Sequence, residues 1–304
     1  MLNRKINGWL IIDKPEGISS ANAINKLKRF VKPNKIGHTG TLDPFASGII
    51  IAAIGEATKL IDHVMNQEKI YEFSVKWGEN TDTLDLTGVV IESSDKIPTL
   101  EAIEACLESF KKNSLIKQRP PKYSAIHING RRAYEMARAG EDFIIDEREV
   151  FLKSVRLIKH EETKTTFEVC CGKGFYIRSF AYDIACKLES CGHVIYLKRI
   201  NVGKFTQFDS IKLDYLLQLL HNAEEPEMLF DFLKPMNAML DDILVLRVDK
   251  KGIEALRQGK KIQIENFKCQ NHERIIACDL AGGDVVAICD ILNSELIPKR
   301  VINN

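Results

Sequence analysis

Apolar residues along the chain fall into short unbroken runs and two-residue alternations, separated by segments in which they recur every three or four positions. That is the pattern of strands interleaved with amphipathic helices. GWLIID (8–13) reads as a buried strand, and KPEG turns through the fixed φ of Pro15 and the permissive backbone of Gly17. Ser19 or Ser20 then caps a helix whose Ile24, Leu27 and Val31 recur at helical spacing, ending before Pro33. GHTGTLDPFASG (37–48), with three glycines and a proline, reads as a loop. IIIAAI (49–54) follows as a strand and EATKLIDHVM (56–65) as a helix. IYEFSVKW (70–77) is a strand that puts Tyr71, Phe73, Val75 and Trp77 on one face.

Thr99 opens a helix over 99–112 that buries Ile103, Leu107 and Phe110. Residues 118–145 read as an exposed excursion: a Pro-Pro turn, a short strand around Ile126, and a basic helix from Arg131 stopped by Gly140. Strands near 148–160 and 164–172 and a helix near 179–190 lead into the strand-like HVIYLKRINVG. The acidic, proline-interrupted stretch 221–242 reads as a linker, and Val245 to Ile302 as a small β-rich module. The expected class is mixed α+β with a largely antiparallel sheet, divided into a larger domain, 1–235, and a smaller one, 243–304.

Composition is that of an ordinary globular protein, with 45% hydrophobic and 28% charged residues, and no run of about 18 apolar residues marks a membrane span. Eight cysteines without a CxxC argue for a reducing compartment, so a cytoplasmic location is expected. The group Cys170, Cys171, Cys186, Cys191 and His193 matches no common zinc spacing, and Cys186 falls on the apolar side of its helix; these read as buried thiols rather than a metal site. A net charge of +1 excludes the strongly basic composition of a non-specific nucleic-acid binder. The average conceals blocks. Residues 1–40 carry eight Lys/Arg against two acids, 111–138 eight against one, and 79–108 eight acids against Lys96. Such blocks are either solvated faces or a local phosphate-binding surface.

GHTGTLDP lacks the Gly-Lys-Ser/Thr ending of a P-loop and does not fit the dinucleotide fingerprint. What it offers to chemistry is a carboxylate, Asp43, on a tight loop that a substrate can approach; alone, Asp43 reads more readily as a turn residue bonding its own backbone before Pro44.

The strings IIDKPEG, GHTGTLDP, KIYEF (69–73), TDTLDLTG (81–88), QRPPKYSA (118–125), GFYIRS (174–179) and HVIYLKRINVGKF (193–205), in this order, closely resemble the TruB-type tRNA pseudouridine synthases. The resemblance spans roughly 8–205 strongly, and the tail is similar, more weakly, to the family's PUA-like RNA-binding module. It implies isomerisation of uridine 55 in the TΨC loop of tRNA: the N-glycosidic bond breaks, uracil rotates, and its C5 bonds to the ribose. It assigns Asp43 as nucleophile, attacking either C1′ or C6; Tyr71 as the tyrosine that stacks on the flipped uracil and is implicated in C5 proton removal; and Arg178 as partner of the catalytic carboxylate. Tyr176 and Leu197 match positions lining the uracil pocket, and His38 the histidine that helps hold everted nucleotides. Lys14 and Pro15 match a supporting segment. Asp85 matches a residue of the substrate network, with turn formation as the plain alternative. Residues 118–145 match an RNA-binding insertion, and there Arg131, Arg132 and Arg138 are the expected grip on the tRNA arm.

The base must leave its stack before C1′ or the far edge of the ring can be reached, at a cost of a few kcal/mol. Isomerisation calls for no redox carrier or ATP, and no cofactor or metal is expected. Two other readings are a catalytic subunit of a guide-RNA-dependent pseudouridylation particle and a non-catalytic tRNA-binding or folding protein. The first motif begins about twelve residues in and the chain ends at VINN, so a stand-alone, monomeric enzyme acting on tRNA, without a protein partner or membrane, is the expectation.

Overall fold

A computed structural model describes residues 6–33, 35–222, 226–241, 243–264, 271–279 and 283–303. The chain divides into two compact units, one of residues 1–44, 49–67 and 207–304, the other of 45–48 and 68–206.

The first unit opens on β1 (Gly8–Lys14), where Trp9 to Ile12 are each at most 1% exposed, as a continuous apolar run requires when both faces are covered. Helix α1 (Ser20–Val31) starts at Ser19, whose side chain accepts from the Asn22 N–H, and ends at Lys32 in the left-handed region, ahead of Pro33. β2 (Ile36–His38) runs antiparallel to the end of β3 (Ser47–Ile54). The expected loop 37–48 is therefore shorter, because Gly37 and His38 are drawn into pairing with Ala53 and Ala52 while Ser47 and Gly48 already belong to β3. The helix expected over 56–65 is broken: a 3-10 turn over Gly55–Leu60, where Thr58 Oγ1 donates to the Gly55 carbonyl, passes into one α turn, α2 (Ile61–Val64).

The second unit is built on β4 (Lys69–Trp77), β5 (Glu79–Thr81), β6 (Val90–Ser93), α3 (Leu100–Glu108), β7 (Ser114–Gln118), β8 (His127–Ile128), β9 (Arg131–Arg132), α4 (Ala133–Arg138), β10 (Arg148–Glu161), β11 (Lys164–Cys171), α5 (Ile177–Lys187), β12 (Gly192–Val202) and β13 (Phe205–Thr206). Its main sheet runs β12, β4, β11, β10, β7, antiparallel throughout, with Ser47 and Gly48 of β3 parallel to β12 on the outer side. Phe73 and Phe167, opposite one another on β4 and β11, stack at 5.3 Å, and Phe180 of α5 meets Phe73 edge-on at 6.4 Å. Trp77 Nε1 donates to Thr165 Oγ1 at 2.8 Å, satisfying the indole inside this core.

Three expectations change here. α3 stops at Glu108 with Ile103 as its buried residue, and Phe110 packs on Phe180 at 5.1 Å from beyond the helix end. Arg131 and Arg132 lie in β9, not in a helix, so Arg131, Arg132 and Arg138 do not share a helical spacing. The turn between β8 and β9 is Asn129–Gly130, at φ 49° and 84°, the pair that a two-residue hairpin with two positive φ values favours. Cys186 is exposed rather than on an apolar face, while Cys171 and Cys191 are buried.

The chain returns to the first unit with β14 (Ile211–Lys212), parallel to β1, then α6 (Leu213–Asn222) and β15 (Leu233–Lys234), antiparallel to β1. Residues 223–225 and 242 of the expected linker lie outside the described residues. The rest of that stretch is not a solvated spacer. Leu229, Met236, Met239 and Leu240 are buried, and the Met236 carbonyl accepts from Trp9 Nε1 at 2.9 Å. β16 (Val245–Val248), α7 (Lys250–Arg257), β17 (Ile262–Gln263), β18 (Asn271–Asp279), β19 (Val285–Leu292) and β20 (Glu295–Val301) make a five-stranded sheet, ordered β16, β18, β19, β20, β17. It has its own core of Val248, Leu256, Ile275, Ala277, Val286 and Leu296 among others, the curled β module expected of a PUA-like tail. Lys59 Nζ donates to the Val301 carbonyl at 2.8 Å, tying this sheet to the rest of the unit.

Gly48 sits at φ 106°, where a Cβ would overlap the backbone of Arg199. Gly48→Ala is expected to lower the free energy of unfolding by more than about 1 kcal/mol, read from chemical denaturation midpoints at unchanged slope.

Candidate active site

Asp43 lies half-buried in the loop between β2 and β3, and both of its neighbours are fastened. Ser20, buried in the first turn of α1, accepts from the Leu42 N–H at 2.8 Å and donates to the Leu42 carbonyl at 3.0 Å. The Pro44 carbonyl accepts from the Gly17 N–H at 2.8 Å and from Lys14 Nζ at 3.4 Å. Lys14 has no exposed surface, and its ammonium also donates to the Pro15 and Ile18 carbonyls at 2.8 Å. The KPEG turn thus serves as a cradle, with a buried ammonium gathering three carbonyls under the loop; partnering by acceptors is what makes burial of that charge tolerable. His38 precedes the loop on β2, opposite Ala52, and Thr39 N–H donates to the Ile51 carbonyl at 3.1 Å.

In the second unit, Arg178 stands in the first turn of α5, 3% exposed. Its Nη1 donates to the Thr83 carbonyl at 2.9 Å and lies 3.5 Å from Asp85 Oδ2, while Nη2 donates to the Tyr123 carbonyl at 3.0 Å. Asp85 Oδ1 in turn accepts from Thr83 Oγ1 at 2.8 Å and from the N–H and Oγ1 of Thr87 at 2.9 and 2.5 Å. The string TDTLDLTG is therefore a turn that folds its hydroxyls around one carboxylate and offers that carboxylate to a guanidinium. Asp85 shapes the turn, the plainer of the two readings its sequence context left open, and its other oxygen faces Arg178. A backbone bridge to Val194 fixes it beside β12.

Tyr176, just before α5, exchanges two hydrogen bonds with the buried side chain of Gln118: its N–H donates to Oε1 at 2.7 Å and its carbonyl accepts from Nε2 at 2.9 Å. Arg148 lies over its ring at 5.2 Å. Leu197, 4% exposed on β12, faces Phe73 in register. Tyr71, 8% exposed on β4, faces Arg199 of β12. The second unit thus brings Arg178 to Asp85, and Tyr71 and Leu197 onto adjacent strands; Asp43, His38 and Lys14 belong to the first unit.

Arg131 is engaged by the excursion itself, through a two-pronged pair with Glu141 at 2.9 and 2.8 Å, and Arg132 Nη1 donates to the Ala125 carbonyl at 2.5 Å. Three buried polar residues, Gln118, Lys69 and Arg199, were not singled out from sequence. For the last two the signal was present in the two-residue alternation, which places Arg199 on the side of Leu197 and Lys69 on the side of Tyr71.

Comparison with known proteins follows the same residues. Residues 28–177 match the family described as TruB family pseudouridylate synthase (N terminal domain), and residues 178–241 match the tRNA pseudouridylate synthase B C-terminal domain. Over 302 residues the chain is 39% identical to the tRNA pseudouridine synthase B of Rhodopseudomonas palustris, covering 99% of this chain and 82% of the relative. It is 40% identical to the protein of the same name from Bradyrhizobium diazoefficiens, covering 99% and 87%. Among solved structures, a chain of a Cbf5-Nop10-Gar1 complex matches with a TM-score of 0.76 at 19% identity, covering 97% of this chain and 85% of that one, a likeness of fold.

Lys14→Met removes the donor from three carbonyls beneath the Asp43 loop. Unfolding should become easier by about 1–3 kcal/mol, measured by urea titration, and the loop should lose order along with turnover; a variant as stable and active as the parent would deny the cradle its role.

Proposed function

The chain belongs to the TruB family of pseudouridylate synthases, isomerases that act on transfer RNA, and on that premise we propose that it converts uridine 55 of the TΨC loop to pseudouridine with Asp43 as the nucleophile. One observation carries the assignment of Asp43: it is a half-buried carboxylate whose two neighbours are both fastened, Leu42 to Ser20 and Pro44 to Gly17 and Lys14. A nucleophile held this way meets its target without first losing freedom of movement. A carboxylate is ionised at neutral pH and is able to leave again after forming a covalent intermediate.

The bond between C1′ and N1 breaks, the uracil turns, and C5 bonds to C1′; C5 gives up its proton and N1 regains one, so the reaction is balanced without a co-reactant. Attack by Asp43 on C1′ or on C6 satisfies the same balance. Arg178 is the proposed partner of the catalytic carboxylate, and Tyr71 is the ring on which the everted uracil stacks. Tyr176 and Leu197 line the base pocket, and His38 holds the displaced nucleotides. Asp85 orients Arg178, and Lys14 supports the loop. Residues 1–235 form the proposed catalytic domain, with 118–145 as its RNA-binding insertion, and 243–304 the PUA-like domain that extends the grip on the tRNA arm. Arg131 and Arg132 hold the hairpin that presents this insertion, exchanging Glu141 or Ala125 for phosphate where the arm docks. Among the described residues no helix is long and apolar enough to cross a membrane. The proposed enzyme acts alone, as a monomer, in the cytoplasm.

Incubation of the purified protein with an unmodified tRNA transcript, followed by carbodiimide treatment and mass mapping, is expected to mark position 55. Asp43→Asn should bind the transcript within about threefold of the parent while tritium release from C5-labelled uridine falls by at least about a thousandfold. Residual turnover near the parent rate would remove Asp43 from the nucleophile's role.

A further inference from the structure

Residues of three strands meet at one register position within the second unit. Arg199 on β12 faces Gly48 of β3 on one side and Tyr71 of β4 on the other. Toward Gly48 the contact is backbone to backbone, so close that no side chain fits between. Toward Tyr71 it is made by the side chain, whose Nη1 lies 3.4 Å from the phenol Oη and whose guanidinium carbon lies 5.9 Å from the ring centroid. Arg199 is 2% exposed, and an arginine so placed keeps its charge and its five donors. A bulge interrupts the β12–β4 ladder directly after it, between Arg199 and Asn201. Bulges re-aim side chains, and they recur next to active sites.

We propose that Arg199 is a positioning residue for Tyr71: lying over the ring and reaching its hydroxyl, the guanidinium holds the phenol in one rotamer for the base that stacks on it. The inference rests on the reading of Tyr71 given above and adds to it a residue that acts through the tyrosine. Lys69 shows how far the charge of Arg199 is felt along this face of β4. Its ammonium is brought down to about 8, first by burial and next by Arg199. In the same way a fixed positive charge beside the phenol oxygen favours any negative charge that develops there while C5 loses its proton. A residue that only filled space would act independently of the tyrosine hydroxyl.

Single-turnover tritium release from C5-labelled tRNA, compared with tRNA binding, tests this on the full-length protein. Arg199→Gln is expected to slow release at saturating tRNA by about tenfold or more with binding changed less than about twofold. Arg199→Lys, which keeps the charge without the planar fork, should recover part of the loss. In a Tyr71→Phe background the Arg199→Gln change should cost less than about a further threefold, since coupled residues are not additive. Losses that multiply in full would overturn the proposal. A second readout needs no activity: 3-fluorotyrosine placed at position 71 should give one narrow fluorine resonance in the parent and in Arg199→Lys, and a broadened or split one in Arg199→Gln. An unchanged resonance in Arg199→Gln would also overturn it. Were the parent protein inert toward tRNA while the resonance still responded to Arg199, the functional reading would fall and the positioning of Tyr71 would stand.

Discussion

Arg178 carries a full charge with almost none of its surface in contact with water, so the fold must bring acceptors to it from several parts of the chain. They arrive from residues 83–85 and from Tyr123, segments far apart in sequence that meet a second time where the Tyr123 hydroxyl donates to Asp82 at 3.1 Å. Much of the second unit follows from that demand. The turn 81–88 is shaped to present one carboxylate and one carbonyl, Gln118 clamps the backbone where α5 begins, and the Asp85 bridge to Val194 fixes the whole against β12. Removing any one acceptor would leave a buried guanidinium partly unmet, a larger penalty than the loss of one surface hydrogen bond.

The loop around Asp43 meets a similar demand in reverse. There a buried ammonium, Lys14, gathers the carbonyls of Pro15, Ile18 and Pro44. In both places a long cationic side chain acts as an internal strut, and the chemistry proposed for the protein draws on groups that such struts hold in place.

Where the hydrophobic pattern was unambiguous, the structure could be read in advance. The run at 8–13, the alternation at 70–77 and the spacing of Ile24, Leu27 and Val31 each report burial directly, and β1, β4 and α1 follow them. Asp43, Tyr71 and Arg178 were singled out only through the family resemblance, because a single aspartate before a proline or a single tyrosine on a strand looks like any other. Misreadings arose where composition was taken for conformation. The basic residues after 130 suggested a helix, yet Asn129–Gly130 specifies a two-residue hairpin that commits Arg131 and Arg132 to a strand. Acids and prolines around 230 suggested a spacer, yet Leu229, Met236 and Met239 supply enough apolar surface to fold it down. Which carbonyls a buried cation will find is a long-range matter, and no local pattern announces it.

The order in which the two units are threaded bears on how the chain is made. The second unit is nearly contiguous, residues 68–206 plus four residues just upstream, whereas the first is composed of both ends of the polypeptide. On a ribosome, β1 emerges early together with its neighbour β3, whereas its other partners, β14 and β15, are translated some two hundred residues later. The side of the N-terminal strand that takes β14 and β15 must therefore wait for the carboxyl-terminal third to appear, whereas the contacts that fasten the Asp43 loop come from residues 14–20. Domains generally fold as units while synthesis proceeds, and distant pairings form slowly. A chain stalled before residue 207 would hold every residue of the second unit and a first unit still lacking β14 and β15.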